Sequence, residues 1–335
     1  MLQVVEPGPG SAIQDRGRPG FAHLGIPPSG ACDLWALAAA CTLAGTSADA
    51  AAVEVSFGGA ELRVLETCAV ILCGAGLGAE RDDGTPLAPA ASHRLPAGAR
   101  IRFTGANPGW FRGPASGARA YLCLAGGIVA HRVLGSAATL EQAGLGGVAG
   151  RGLRAGDILE PVRRGDLSSG GRTWPSTVAR HPADLPGPNL FVPGPDQRHT
   201  AAETTAAFGA SEWTVTAAGD RMGLRLDGPP LPAGHEILSH PLVPGSIQLP
   251  PDGRPIVVLA DGPTLGGYPV IGVVPRAEMP RIAQLAPGDT VKFAAQDVAA
   301  ARAEWVAQQR ALTRAGLAVR AAAAWQRVDR PFGPF

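Results

Sequence analysis

The chain has 335 residues, 45% of them hydrophobic, which is enough apolar material for about two packed domains. Charged residues make up 17% and the formal net charge is +1. That balance excludes an electrostatic case for nucleic acid or for an anionic membrane surface.

The run from Met1 to Glu6 has no basic leader, and Pro7 and Gly8 interrupt any apolar stretch. Nowhere do 18 apolar residues follow one another, so a cytoplasmic chain without a membrane helix is expected. Residues 1–30 are rich in Gly and Pro. Ala31 to Leu43 then reads as one helix, with Asp33 placed to cap its start and Gly45 to end it. Strands follow. Glu61–Leu65 alternates, Ala69–Cys73 is continuously apolar as in a buried strand, and Asp82-Asp83-Gly84 signals a hairpin turn.

A short pattern occurs three times, at Leu95–Ile101, Leu153–Leu159 and Leu285–Val291. Each copy is Leu-x-x-Gly, then Ala or Asp, then an apolar strand, and the glycine is expected to supply a positive φ. Residues 163–188 carry Gly, Ser and Pro without periodicity and read as a linker. The expected organisation is an N-terminal barrel domain over 1–165, a linker over 166–188, a second barrel domain over 189–294 and a helical tail over 295–335. Trp305, Leu312 and Val319 recur every seven residues in that tail and give it one apolar face. Its remaining faces are mostly Ala and Arg, so the tail is expected to be removable after about residue 296.

Lys292 is the only lysine. It is flanked by Val291 and Phe293, so no Walker loop exists, and Schiff-base chemistry would have to use this one strand lysine. Biotin attachment favours a different lysine setting. The five cysteines are odd in number, form no C-x-x-C pair, and read as buried thiols with no metal site. The seven histidines, His199 and His235 among them, are scattered. His235 and His240 flank Glu236 and read as a surface pair. Gly74–Ala79 matches a dinucleotide-binding fingerprint, but the turn at 82–84 and Pro86 replace the helix that motif requires. There is no nucleophile elbow and no H-E-x-x-H.

Asp220–Leu226, read as a strand, puts Arg221, Gly223 and Arg225 on one face. Two guanidiniums with a glycine gap suit a carboxylate-like oxygen pair, although a solvated arginine face is an equally good reading. Ile256–Ala260 reads as a buried strand running into Asp261, followed by a loop with Gly266, Gly267 and Tyr268. A carboxylate at a strand end beside a Gly-Gly loop is a common site architecture, and plain turn chemistry would give the same glycines.

These segments together resemble the family that contains KipA and allophanate hydrolase subunit 2. The matching residues are Gln14–Gly20, Val53–Gly59, Ala125–Ile128 with Gly135-Ser136, Asp220–Leu226, Pro244–Gln248 and the Gly266-Gly267-Tyr268-Pro269 loop. They lie in collinear order across roughly 1–293. The resemblance implies a mainly β chain of two cyclophilin-like β-barrel domains with a C-terminal helix. It implies the carboxyltransferase-like C subunit of a 5-oxoprolinase, inactive alone. Its partners would be a KipI-like B subunit, often as a heterotetramer, and an A subunit. ATP would be used by the assembly, with no cofactor held covalently on this chain. Asp220 and Asp261 are the expected catalytic residues, with Arg221, Arg225, Gln248, Gly266, Gly267 and Tyr268 binding the small-molecule substrate. Two departures, Gly262 after the loop aspartate and Val270 after Pro269, leave a urea-like substrate as an alternative to 5-oxoproline. A regulatory module that sequesters a KipI-like kinase inhibitor is a further alternative.

Overall fold

The computed structural model describes residues 1–105, 117–163, 165, 167, 170–196, 200, 203–232 and 236–328, with side chains to 324. His199, His235 and residues 329–335 of the tail lie outside the described residues, as do parts of the 166–188 segment.

The first unit contains β1 (Leu2–Pro7), β2 (Ser11–Gln14), α1 (Leu34–Ala44), β3 (Ala52–Ser56), β4 (Ala60–Val64), β5 (Cys68–Gly74), β6 (Ala79–Arg81), β7 (Ala91–Leu95), β8 (Arg100–Phe103), β9 (Arg119–Leu124) and β10 (Ile158–Leu159). They form two five-stranded sheets, β10-β1-β4-β8-β6 and β2-β3-β9-β5-β7. Leu2, Leu62, Val64 and Ile101 of one sheet meet Val53, Val55, Val70 and Leu122 of the other in a shared core. The opposite face of the second sheet presents Ala69, Ile71, Cys73 and Cys123 to α1. Strand β5 is therefore buried on both sides, which is why Ala69–Cys73 reads as an unbroken apolar run.

Helix α1 starts and stops where its caps predict. The Asp33 carboxylate accepts the Ala36 N–H, and Gly45 ends the helix in the left-handed conformation. The helix is apolar nearly all round because a second helix covers its outer side.

The second unit comprises β11 (Asn189–Pro193), α2 (Thr204–Ala210), β12 (Glu212–Val215), β13 (Gly223–Asp227), β14 (His240–Pro241), β15 (Ser246–Gln248), β16 (Ile256–Val258), β17 (Leu265–Gly266), β18 (Val270–Val273), α3 (Met279–Ala283) and β19 (Thr290–Ala295). Seven strands close into a barrel in the order β11-β18-β15-β16-β13-β12-β19. The parallel pairing of β11 with β19 makes the closure. Phe191, Phe208, Trp213 and Phe293 fill its core. Strands β14 and β17 form a separate two-stranded ribbon.

The three-fold sequence pattern marks three equivalent turns. Gly98, Gly156 and Gly288 have φ of 90°, 93° and 92°. Their N–H groups donate to Val64 O, Val4 O and Val215 O, each on a neighbouring strand. The segment between the units lies down on α1: Trp174 and His181 are buried, and both rings meet Trp35 edge-on. Helix α4 (Val298–Val328) returns to the first unit. Ala315 and Val319 are buried in the α1 cluster and Leu312 packs beside them, while the Arg276 guanidinium sits over the Trp305 ring. The predicted heptad face is thus the docking face, and removing the tail would uncover α1.

Candidate functional site

Strand β3 carries Val53 and Val55 into the core between the sheets, so Glu54 must point the other way. That side faces the second unit. Its cross-strand neighbour on β9 is Tyr121, whose hydroxyl donates to Glu54 Oε2 at 2.6 Å. The Cys32 N–H donates to the same oxygen at 3.0 Å. Arg119, two residues along β9 and on the same face, lies with Nε 3.8 Å from Glu54 Oε1. It also donates to Ala283 O on α3.

From the second unit comes Arg221. Its Nε and Nη2 grip Asp261 at 2.7 and 3.1 Å. Nη1 donates to Glu54 Oε1 and to Cys32 Sγ, and Nη2 also donates to Gly30 O at 2.6 Å. A guanidinium has five N–H donors, and all five are engaged. Asp261 receives in addition the Ser29 hydroxyl at 2.6 Å, and Thr139 O lies 3.1 Å from that hydroxyl. Behind this, Asp33 Oδ2 accepts from His181 Nε2 at 2.8 Å and from Gln284 Nε2 at 2.7 Å. His181 Nδ1 accepts the Ala183 N–H, which places the ring proton on Nε2. The result is a polar seam that ties the sheets of the first unit to the barrel of the second.

The electrostatics follow from burial and charge. Burial alone would raise the Glu54 carboxyl, but the Arg221 and Arg119 guanidiniums outweigh it and hold it below the usual carboxylate range. Burial pushes the Cys32 thiol up to about 11 despite the nearby Arg221 charge. Burial, with Glu54 opposite, lifts the Tyr121 phenol well above its ordinary value. Around Arg221 burial works against the charge, and the anionic neighbours more than restore it. The seam holds its carboxylate ionised and its thiol and phenol neutral.

The structure joins Arg221 to Asp261 but separates Arg225 from both. Strand β13 begins at Gly223, so the alternation expected from 221 to 225 does not reach back to Arg221. Arg225 is exposed, and Arg221 has no donor left for an anion, so the expected guanidinium pair does not form. Asp220 is also exposed, and its Oδ1 accepts the N–H groups of Met222 and Gly223. It builds an Asx turn that launches β13. Gln248 is buried, and a side chain on Gly266 would run into its amide. That explains the small residue there. Gly266 pairs with His240 across the ribbon, the Gly267 carbonyl accepts the Ile237 N–H, and Tyr268 is half-buried. His240 Nε2 stands 3.2 Å from Asp196. This second group lies on the ribbon side of the barrel.

Sequence reasoning missed Glu54, Tyr121, Arg119, Ser29, Cys32 and Gln284. One signal was available: Glu54 between two valines, and Arg119 and Tyr121 in a strand otherwise apolar, are polar groups alternating with core residues. Among the described residues, no helix is long and apolar enough to cross a membrane, and no three His, Cys, Asp or Glu side chains gather as a metal set.

A family model described as carboxyltransferase domain, subdomain A and B, matches residues 24–295. The C subunit of 5-oxoprolinase from Escherichia coli strain K12 is 35% identical over 301 residues, covering 88% of this chain and 90% of that protein. The protein of the same name from Haemophilus influenzae is 32% identical over 297 residues, 88% of this chain and 91% of that one. The solved Kluyveromyces lactis urea carboxylase is 25% identical with a TM-score of 0.79, covering 94% of this chain and 29% of that one.

Proposed function

The chain belongs to the carboxyltransferase domain family, subdomains A and B, and from that premise we propose that it is the C subunit of an ATP-dependent 5-oxoprolinase. The observation that carries this is near end-to-end similarity to the bacterial 5-oxoprolinase subunits, at 35% identity across 90% of one of them. The reaction adds water across the lactam C–N bond of 5-oxoproline to give L-glutamate, and ATP hydrolysis drives it. The sequence contains no Walker-type phosphate-binding motif. Its one lysine, Lys292, is 64% exposed on the barrel surface beside Glu212. ATP chemistry on this reading belongs to another chain, and a KipI-like B subunit and an A subunit complete the assembly. Asp261 and Arg221 then brace the seam, while Gln248, Gly266, Gly267 and Tyr268 supply a rim on the ribbon side for a partner subunit.

Co-expression with the A and B subunits, followed by an assay of ATP-dependent glutamate release, tests the proposal. Turnover should require all three chains. No turnover of 5-oxoproline by the full set, or turnover by this chain alone, would overturn it. The fit to the fungal urea carboxylase, at a TM-score of 0.79, favours a urea-type carboxyltransferase half as the second reading. That reading requires biotin-dependent use of urea in the same assay. Tight binding to the KipI-like partner with no turnover of either substrate would instead point to the sequestering module.

A further inference from the structure

A cavity of about 480 Å³ opens on the first unit between residues 46–51, 126–132 and 162–163. Its size falls in the range of small-molecule sites. Ile128, Ala51 and Ala137 give it an apolar floor, and Val129 and Val162 flank it. The last two are 52% and 66% exposed although apolar. Arg132 and Arg163 supply positive charge, and Asp49 is the one carboxylate of the lining.

Arg132 differs from Arg221 in how it is held. Its Nη1 donates to Gly135 O at 3.0 Å and its Nη2 to Asp49 O at 2.7 Å. The nearest carboxylate oxygen, Asp15 Oδ2, is 3.7 Å away. Asp15 is itself taken up by the Ser136 hydroxyl and by the N–H groups of Ala137 and Gly17. Two carbonyls therefore aim the Arg132 guanidinium, Asp15 compensates its charge only from the outer edge of ion-pair range at Nη1, and among the described residues no partner engages Nε–H or the second N–H of Nη2. The side chain is 46% exposed, so those donors can be reached.

The wall beside it, residues 133–139, is braced from behind. Arg18 donates to Val133 O and Ala138 O, Gln14 to Thr139 O, and Asp15 holds Ser136 and Ala137. Gln14, Asp15 and Arg18 are 0%, 2% and 1% exposed. Three buried polar side chains from one short segment thus fix one stretch of loop, the arrangement that holds a binding site rigid.

We propose that this cavity binds a small carboxylate, with the open fork of Arg132 taking the two carboxylate oxygens and the Ile128, Ala51 and Ala137 floor taking a ring or short chain. A planar fork matches a two-oxygen anion, and the apolar floor beside it suits the carbon skeleton of an organic carboxylate, which inorganic phosphate lacks. The identification of that carboxylate as 5-oxoproline rests on the function proposed above.

Two experiments test it. On the purified full chain, ligand-observed NMR should show 5-oxoproline binding. 2-Pyrrolidone, which lacks the carboxylate, and inorganic phosphate should not bind comparably. Arg132→Gln should weaken binding about tenfold or more, as expected for loss of a charge-assisted contact. Val162→Trp, which narrows the mouth without touching the charge, should do the same. In the reconstituted three-chain enzyme, Arg132→Gln should raise KM for 5-oxoproline about tenfold and leave kcat within about threefold. An unchanged KM in an active complex, or equal binding of 2-pyrrolidone or phosphate, overturns the cavity while the proposed function stands. If the wild-type complex ignores 5-oxoproline but the chain binds another small carboxylate in an Arg132-dependent way, the cavity stands and the proposed function falls.

Discussion

Replacing Arg221 by alanine removes all five donors from the seam at once. Glu54, with a side chain 1% exposed, and Asp261, 7% exposed, lose their shared cation. Breaking a buried pair so that a carboxylate is left uncompensated costs about 3–5 kcal/mol. Arg119 remains with Nε 3.8 Å from Glu54, so the lower half of that range, about 3–4 kcal/mol, is expected. At about 2 °C per kcal/mol for a chain of this size, that is a fall in Tm of roughly 6–8 °C. Arg221→Lys should recover only part of it, because an ammonium has three donors for five positions. Arg225→Ala, on an exposed strand position, should change stability by no more than about 0.5 kcal/mol. Urea denaturation at several pH values gives a sharper test through its sign. With Arg221 present, Glu54 is held below its ordinary value. Its contribution is therefore full above the unfolded pKa of about 4.3 and is lost as pH falls through the lower folded value. Without Arg221 the burial effect gains ground and Glu54 favours protonation. The stability gap between wild type and Arg221→Ala should shrink as pH falls from 7 toward about 4. A loss under about 1 kcal/mol, or a gap that does not change with pH, would refute the buried-tie account.

Thiol labelling of the folded chain at pH 8 should spare Cys32, Cys41, Cys73 and Cys123, which are buried, and reach half-buried Cys68 first; rapid modification of Cys32 would contradict its raised pKa of about 11. Val319→Asp should destabilise the chain by about 2–3 kcal/mol, measured by urea denaturation, because it places a charge where α4 meets α1. Lys292→Ala should leave assembly turnover unchanged and stability within about 0.5 kcal/mol, since its ion pair to Glu212 is exposed.

Local physics was legible in the sequence, and the seam was not. Asp33 and Gly45 bounded α1 because caps act over three or four residues. The unbroken run at Ala69–Cys73 announced a strand covered on both faces, and three turn glycines announced their positive φ. The Arg221 reading failed for a local reason. Alternation was carried two residues past the real start of β13, where the Asp220 Asx turn breaks the strand geometry. The partners of Arg221 failed to appear for a different reason. Glu54 lies 167 residues away and Gly30 lies 191 away, and no periodicity reaches that far. A sequence shows that Glu54 is a charge amid core residues, and only the fold shows what neutralises it.

The two arginines separate two ways of using one side chain. Arg221 is saturated by carboxylates, a sulfur and a carbonyl, and its charge is spent on joining two units. Arg132 is aimed by two carbonyls, with Asp15 no nearer than 3.7 Å, and keeps donors for a ligand in the cavity it lines. The same loop connects them. Thr139 ends the wall that Arg18 and Asp15 brace, and its carbonyl lies beside the Ser29 hydroxyl that donates to Asp261. Asp261, Ser29 and Thr139 thus stand in one contiguous row between the barrel and the cavity wall. The N-terminal signature from Gln14 to Gly20 and the loop aspartate, far apart in sequence, serve one structural end. This gives a physical reason for both motifs that does not require either to touch a substrate.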